Sequence, residues 1–265
     1  MAKTNMSDIC GVILNKPKIS ENKDRCTCII ITARGKRDTG DSTRNNVRWD
    51  YIVVATKDPE IIEQMETIEA FDIVRMKGVI VTKYLPKEAI CENCKNINTR
   101  EDMFVYFEPI YMERIIHADD EESAKQAILD RREISNEIRV LGVVCNDPSM
   151  LLLKSAKVCQ YQIAIPRTYR LKGSSDDDKY DYPWVKSYGK NAVEDYKRLK
   201  QKSLILIDGC LQAREKKCES TCSHCGVSYS YLDQVLEIVP YEVEYLRNYV
   251  TDEELGIVRV EKEIE

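Results

Sequence analysis

Gly11-Val12-Ile13-Leu14-Asn15-Lys16-Pro17 returns 131 residues later as Gly142-Val143-Val144-Cys145-Asn146-Asp147-Pro148. The same interval separates Gly78 from Gly209, Cys91 from Cys222, Cys94 from Cys225 and Pro109 from Pro240. Glycines, a CxxC and a proline kept in register over such a span mark one unit written twice. A length of 265 residues suits two units of ordinary domain size, each long enough to close a core.

Both units run through the same elements in the same order. A β-rich run with a glycine (9–15 and 139–146) leads to a second strand (26–33 and 158–166) and then a polar loop (34–46 and 167–181). A third strand carrying tryptophan and tyrosine (47–55 and 182–188) precedes a short helical stretch (59–67 and 192–200). The apolar residues of that stretch, Ile61, Ile62 and Met65 or Val193, Tyr196 and Leu199, fall at helical spacing. A fourth strand runs into glycine (73–81 and 204–211), the CxxC occupies the following loop, and a last strand closes the unit (103–111 and 234–243).

Five strands with one helix between the third and fourth is the order of an OB-fold. That Greek-key barrel binds oligonucleotides or oligosaccharides on its strand 2–3 face and in its 1–2 and 4–5 loops. The expected architecture is mainly β, with OB-folds at 5–116 and 136–249, a helical linker at 117–135 and an acidic C-terminal tail at 250–265. Asp119 or Asp120 is placed to cap a linker helix running through Ala124, Ala127 and Ile128.

Charged residues make up 32% of the chain and hydrophobic ones 43%. No apolar run reaches membrane-spanning length, and the N-terminus lacks the charged-then-apolar pattern of a signal peptide, so a soluble protein is expected. Eleven cysteines without a secretion signal point to a reducing cytoplasm, where thiols stay free or bind metal. The net charge of −5 is unevenly spread: residues 250–265 hold a net −4 and residues 117–135 a net −3, leaving the rest slightly positive. A local positive groove is compatible with that balance, whereas broad duplex binding through a basic face is not.

The stretch Tyr188-Gly189-Lys190-Asn191-Ala192-Val193-Glu194-Asp195-Tyr196, followed by Leu204-Ile205-Leu206-Ile207-Asp208-Gly209-Cys210-Leu211, resembles the bacterial single-stranded DNA-binding protein family. That family carries an aromatic-Gly-Lys-x-Ala helix leading into a strand that ends Gly-x-Leu. The resemblance covers nearly all of the second unit and is weaker in the first, where Ala55-Thr56-Lys57 replaces the aromatic-Gly-Lys. It implies that third-strand and loop aromatics stack on bases. Trp49 and Tyr182 then stand at the stacking-tryptophan position, Tyr188 at a further aromatic position and Tyr169 at another, which Lys36 takes in the first unit. Family members end in a long linker and an acidic tip closing with proline and phenylalanine. This sequence ends Val258-Arg259-Val260-Glu261-Lys262-Glu263-Ile264-Glu265 and departs from that pattern.

The residues argue the same way on their own. Trp49 and Tyr51 are two apart, as are Tyr182 and Trp184, so each pair shares one strand face. Arg34, Lys36, Arg37, Arg44 and Arg48 surround the first pair, and Arg167, Arg170, Lys172 and Lys186 the second. A stacked base contributes about 1–3 kcal/mol while the cations follow phosphates, whatever the base sequence. The competing reading makes aromatics core, and it is the better one for Tyr84, Tyr106 and Tyr161.

Cys91-Glu92-Asn93-Cys94 and Cys222-Ser223-His224-Cys225 each supply half of a tetrahedral thiolate site, and neither unit brings a second CxxC. Three readings stay open: a structural zinc shared through Cys91, Cys94, Cys222 and Cys225, a local site using Cys218, Cys222 and Cys225, or no metal. Cys10, Cys26, Cys28, Cys145, Cys159 and Cys210 read as small buried hydrophobes in strands.

Enzymatic signatures are missing from this sequence. A zinc deaminase needs H-x-E ahead of its P-C-x-x-C, a thiol–disulfide enzyme a CxxC opening a helix in a βαβ setting, and many nucleotide enzymes a phosphate-cradling glycine loop. The expectation is a non-catalytic binder of single-stranded DNA in replication, recombination or mobile-element transfer. Replication or recombination proteins are further expected partners, a membrane is not, and a homodimer stays open. The rivals are an OB-fold module that docks proteins in a replication or primosome complex, which the acidic charge favours, and an RNA-binding OB protein.

Overall fold

A computed structural model describes residues 4–34, 47–131, 135–153, 156–167, 171 and 179–256. The first half comprises β1 (Asn5–Ile13), β2 (Lys18–Ile19), β3 (Cys26–Arg34), β4 (Arg48–Thr56), α1 (Pro59–Glu66), β5 (Asp72–Ile90) and β6 (Ile97–His117). After α2 (Glu121–Asp130), the second half comprises β7 (Asn136–Val144), β8 (Ser149–Leu152), β9 (Lys157–Pro166), β10 (Tyr180–Asp181), β11 (Trp184–Tyr188), α3 (Gly189–Arg198), β12 (Leu204–Thr221) and β13 (Ser228–Arg247).

In each half the long strands close into a barrel. β1 pairs antiparallel with β3 and β5, β3 with β4, and β5 with β6; the ring closes at one parallel contact, Val54 against Phe107. β7, β9, β11, β12 and β13 repeat the ring and close it at Val185 against Ile238, each 131 positions beyond its counterpart. The molecule is two OB-folds in tandem, as the order of elements predicts. β1 and β7 pair antiparallel across an approximate twofold axis, with Ser7 opposite Ile138, so both barrels share one continuous sheet.

Period-two alternation turns aliphatic side chains inward. Ile9, Ile13, Ile30, Ile52, Val54 and Phe107 fill the first barrel, and Ile138, Ile163, Ile205, Ile207 and Ile238 the second. Asp58 caps α1 by accepting from the Glu60 N–H at 3.0 Å, Pro59 opens the helix, and Ile61, Ile62 and Met65 pack inward as their spacing predicts. The expected face of the second helix is corrected. Leu199 is buried in the core as expected, but α3 itself buries Ala192 and Asp195 while Tyr196 is exposed, because Asp195 accepts from Tyr161 Oη at 3.1 Å and Tyr245 Oη at 2.7 Å.

The recurrent glycine and proline account for the largest departure from the expected strands. β5 and β6 run to 19 and 21 residues, and β12 and β13 to 18 and 20. Gly78 faces Pro109, and Gly209 faces Pro240, each beside a register shift. A Cβ at Gly78 would lie 2.2 Å from the Glu108 carbonyl oxygen, and one at Gly209 2.4 Å from that of Val239. Glycine permits that approach, proline adds no N–H to the ladder, and the irregularity bends each strand pair out of its barrel. Each CxxC therefore sits at the tip of a long two-stranded arm.

Asp120 caps α2 by accepting from the Ser123 N–H at 2.7 Å. The helix lies on the outside of the first barrel, where Ala124 and Ile128 are buried against Cys10, Val12, Ile31, Ala33 and Ile73. Among the described residues no helix is long and apolar enough to cross a membrane.

Candidate nucleic-acid interface and cysteine cluster

Alternation along β4 turns Trp49, Tyr51, Val53 and Ala55 away from the first barrel, and along β11 it turns Trp184, Lys186 and Tyr188 away from the second, with Tyr182 just ahead of that strand. Tyr51 is 44% and Tyr182 41% exposed, and Tyr188 is exposed too, whereas Trp49 and Trp184 are half-buried.

Two expectations about these aromatics are corrected. Gly-Lys spacing pairs Trp49 with Tyr182, but the interval of 131 carries through strand and helix, so Tyr51 answers Tyr182 and Trp49 answers Tyr180. Trp49, moreover, is no free platform. It packs in the cluster beneath α2, and Lys125 Nζ lies 5.4 Å from its ring centroid, a cation–π contact that already engages the ring.

Arg34 and Arg167 do not point to phosphates either. Arg34 Nε donates to Asp50 Oδ2 at 2.7 Å, while Asp50 Oδ1 accepts from the Ala213 N–H of the second barrel at 3.0 Å. Arg167 Nη2 donates to Asp181 Oδ1 at 2.6 Å, which accepts from the Thr82 N–H of the first barrel at 2.9 Å. Asp50 and Asp181 are 131 apart, and so are Thr82 and Ala213, so the twofold axis relates the two pins. The arginine side chains are only 15% and 5% exposed: a buried aspartate on the neighbouring strand has claimed each one. Lys186 is engaged as well, 3.2 Å from Glu237, and burial pushes its ammonium pKa down. Arg48 stays exposed at the start of β4. Lys36, Arg37, Arg44, Tyr169, Arg170 and Lys172, with tail residues 257–265, lie outside the described residues.

Two grooves related by the same axis run beside the arms. The second-barrel groove, about 200 Å³, is lined by Trp184, Lys186, Arg214, Lys216, Phe104 and Glu237. The first-barrel groove, about 320 Å³, includes Arg25, Lys57, Lys83, Phe104, Tyr106 and Glu108. Lys83 and Arg214 are counterparts at the 131 interval, as are Tyr106 and Glu237. Sequence reasoning missed these arm residues. Cations at alternate positions past the glycine, Arg214 and Lys216, were the available signal. Tyr106 and Tyr161 are buried as expected, whereas Tyr84 is exposed on its arm.

Glu108 lies on the first groove's wall, 6% exposed, accepting from Tyr106 Oη at 3.4 Å. Burial pushes its carboxyl up from 4.5 to about 7. The folded chain thus keeps a proton that the unfolded chain releases. The resulting stabilisation is complete below about pH 4.5 and is lost as pH rises through about 7. Denaturant unfolding at pH 5 and pH 8 should show a fall in stability that shrinks in Glu108→Gln; an equal fall in both proteins would remove Glu108 as its source.

At the arm tips the four CxxC cysteines meet. Cys91 Sγ lies 3.8 Å from Cys225 Sγ, Cys94 Sγ lies 3.6 Å from Cys222 Sγ, and all four sulfurs fall within 4.8 Å of one another. A tetrahedron with metal–sulfur bonds of about 2.3 Å has edges of about 3.8 Å, so the donor set fits a four-thiolate site. Amide donors from Asn96 at 3.4 Å and Asn98 at 3.5 Å reach the sulfurs of Cys94 and Cys222. Backbone N–H groups, that of Cys225 foremost, hold the Cys222 thiol down at about 6, which favours the ligating thiolate. The arms are further joined by Lys87 to Asp233 at 2.9 Å and by Arg100 4.7 Å from the centroid of Tyr231. Cys218 does not join the cluster, because the ladder holds it opposite Tyr231 within the arm. Cys10, Cys26, Cys28, Cys159 and Cys210 are buried as expected, but Cys145 is only half-buried and follows β7.

Comparison with known proteins agrees with this architecture. Residues 135–225 match the model of the single-strand binding protein family, a span that includes the stretch resembling that family. The wild-type single-stranded DNA binding protein from Thermus aquaticus is similar at 11% identity and a TM-score of 0.58, covering 93% of this chain and 95% of that one. A deletion mutant of the Thermus aquaticus protein is similar at 11% identity and a TM-score of 0.55, over 94% of this chain and 97% of that one. These structural likenesses establish the fold over both barrels. No curated protein matches the chain.

Proposed function

We propose that this chain binds single-stranded DNA without catalysing a reaction, through the outer strand faces and arm-side grooves of its two barrels. The domains are then 5–116 and 136–249, joined by 117–135 and followed by the acidic segment 250–265. The observation that carries this reading is the outer face of β11 and its approach. There Trp184 lines a groove with exposed Lys216 and with Arg214, which Glu237 holds through two bonds at 2.7 Å. Tyr182 and Tyr188 stay exposed nearby in sequence, in the barrel that matches the single-strand binding family. Aromatic rings with cations alongside suit stacked bases and their phosphates. Tyr51 and Arg48 offer a smaller version on the first barrel. Replication, recombination or mobile-element transfer is the process such binding serves, in the cytoplasm and with proteins of those systems as partners.

The cysteine cluster is the second part of the proposal. Cys91, Cys94, Cys222 and Cys225 would hold one structural zinc, crosslinking the arms that flank the grooves.

The two tryptophans should behave differently. Trp184→Ala is expected to weaken binding of labelled oligo-dT about tenfold, within the 1–3 kcal/mol range for a lost stacking contact. Trp49→Ala should lower stability while leaving affinity near the native value, since its ring is covered by α2. Fluorescence anisotropy gives both affinities. A Trp184→Ala variant that folds and binds like the native chain would remove the second barrel's face from the binding path.

A further inference from the structure

We propose that the first-barrel groove holds one cytosine base of the bound strand and reads its amino edge through Glu108, an inference that rests on the single-strand-binding reading above. The groove's volume of about 320 Å³ lies at the small end of ligand pockets, which range over about 300–1,000 Å³. Phe104 and Tyr106 form one side, their rings stacked with centroids 6.0 Å apart and planes at 25°. Exposed Arg25 and Lys57, with Lys83, supply positive charge for the backbone. Leu171 contributes from the second half of the chain, so the site is complete only with both halves in place.

Glu108 distinguishes this groove from its symmetry mate. The matching position of the second barrel is Val239, and the matching position of Tyr106 is Glu237. Glu237 is neutralised by Arg214, with two bonds at 2.7 Å, and by Lys186. Glu108 makes no ion pair among the described residues; Tyr106 Oη donates to its carboxyl, the Lys57 backbone N–H and the charges of Lys83 and Arg167 face it, and acceptor capacity still remains. Cytosine answers it with the N4 amino group, the pairing that glutamate makes with this base. When the carboxyl is protonated, its O–H also finds cytosine N3. Thymine has no amino group and places carbonyl oxygens on either side of its single N–H. Burial, which pushes this carboxyl up to about 7, makes both of its forms available near neutrality.

The test is competition of oligo-dC and oligo-dT of equal length against a fluorescent oligo-dT on the full chain near neutral pH. The native protein should prefer oligo-dC about tenfold, the size of one well-paired base contact. Glu108→Leu should bring the two oligonucleotides to parity, and Glu108→Gln, which keeps a carbonyl acceptor, should retain part of the preference. Parity in the native chain, or an undiminished preference in Glu108→Leu, would overturn the cytosine site and leave single-strand binding standing. Failure of both oligonucleotides to bind would overturn the two together. Because the native ratio and Glu108→Gln are read independently, misfolding of Glu108→Leu would still leave the proposal exposed to refutation.

Discussion

Asp181→Ala should lower the free energy of unfolding by about 3–5 kcal/mol, the range for stranding one member of a buried ion pair. Asp181 is fully buried, and its removal would leave the Arg167 guanidinium, 5% exposed, without its carboxylate and the Thr82 N–H without its acceptor. Asp50→Ala should act in the same way on Arg34 and the Ala213 N–H. Replacing the pair together, Arg167→Met with Asp181→Leu, should recover a large part of the loss, since apolar residues of similar volume remove the unpaired charge. Urea unfolding of the three variants checks this. A loss below about 1 kcal/mol in Asp181→Ala would mean that the pin is solvated and contributes as a surface pair does. These pins matter to binding because they set one barrel, and hence one groove, against the other.

Cys94→Ser should abolish zinc binding by the whole chain, and Cys225→Ser on the other arm should do the same. Each removes one of four thiolates from a site that both halves build. Protein purified with zinc present should carry about one ion per chain, and neither variant should retain a stoichiometric ion. The barrels should keep their β-sheet signal, because their cores lie outside the cluster. The arms should separate and become accessible to protease. Zinc content unchanged by Cys94→Ser would instead place any metal on the second arm alone, and the arms would owe their contact to Lys87, Asp233, Arg100 and Tyr231.

Much of the fold was legible because it is written twice. The interval between Gly78 and Gly209 and between Pro109 and Pro240 marked equivalent places, and period-two alternation placed five strands around a helix in each half. The bending role of those glycines was not legible. It depends on a carbonyl oxygen 2.2 Å from an imagined Cβ, a contact with another strand that local sequence does not encode. The meeting of the cysteines was legible as one of the arrangements considered, since a CxxC supplies only two ligands, and the arms bring Cys91, Cys94, Cys222 and Cys225 together without Cys218.

The aromatic site was read less well, for a reason its neighbours make plain. Alternation correctly turned Trp49 outward, but an outward residue on one barrel can be covered by a helix elsewhere in the chain, as α2 covers Trp49. Likewise, arginine beside aromatic residues signals a phosphate path only when no carboxylate competes. Asp50 sits between Trp49 and Tyr51, and Asp181 directly before Tyr182, yet their burial depended on the other barrel. Groove cations such as Lys83 and Arg214 escaped because the strands that carry them run well past the expected barrel edge.

The most direct test of single-strand binding is titration of the intrinsic tryptophan fluorescence with oligo-dT and with matched duplex DNA at two salt concentrations. Strong quenching by the single strand, a weak duplex response and affinity that falls with salt are expected, with the change carried by Trp184 and absent from Trp184→Ala. No response to either nucleic acid, confirmed by anisotropy with a labelled strand, would contradict the account and leave the tandem barrels as a protein-docking module.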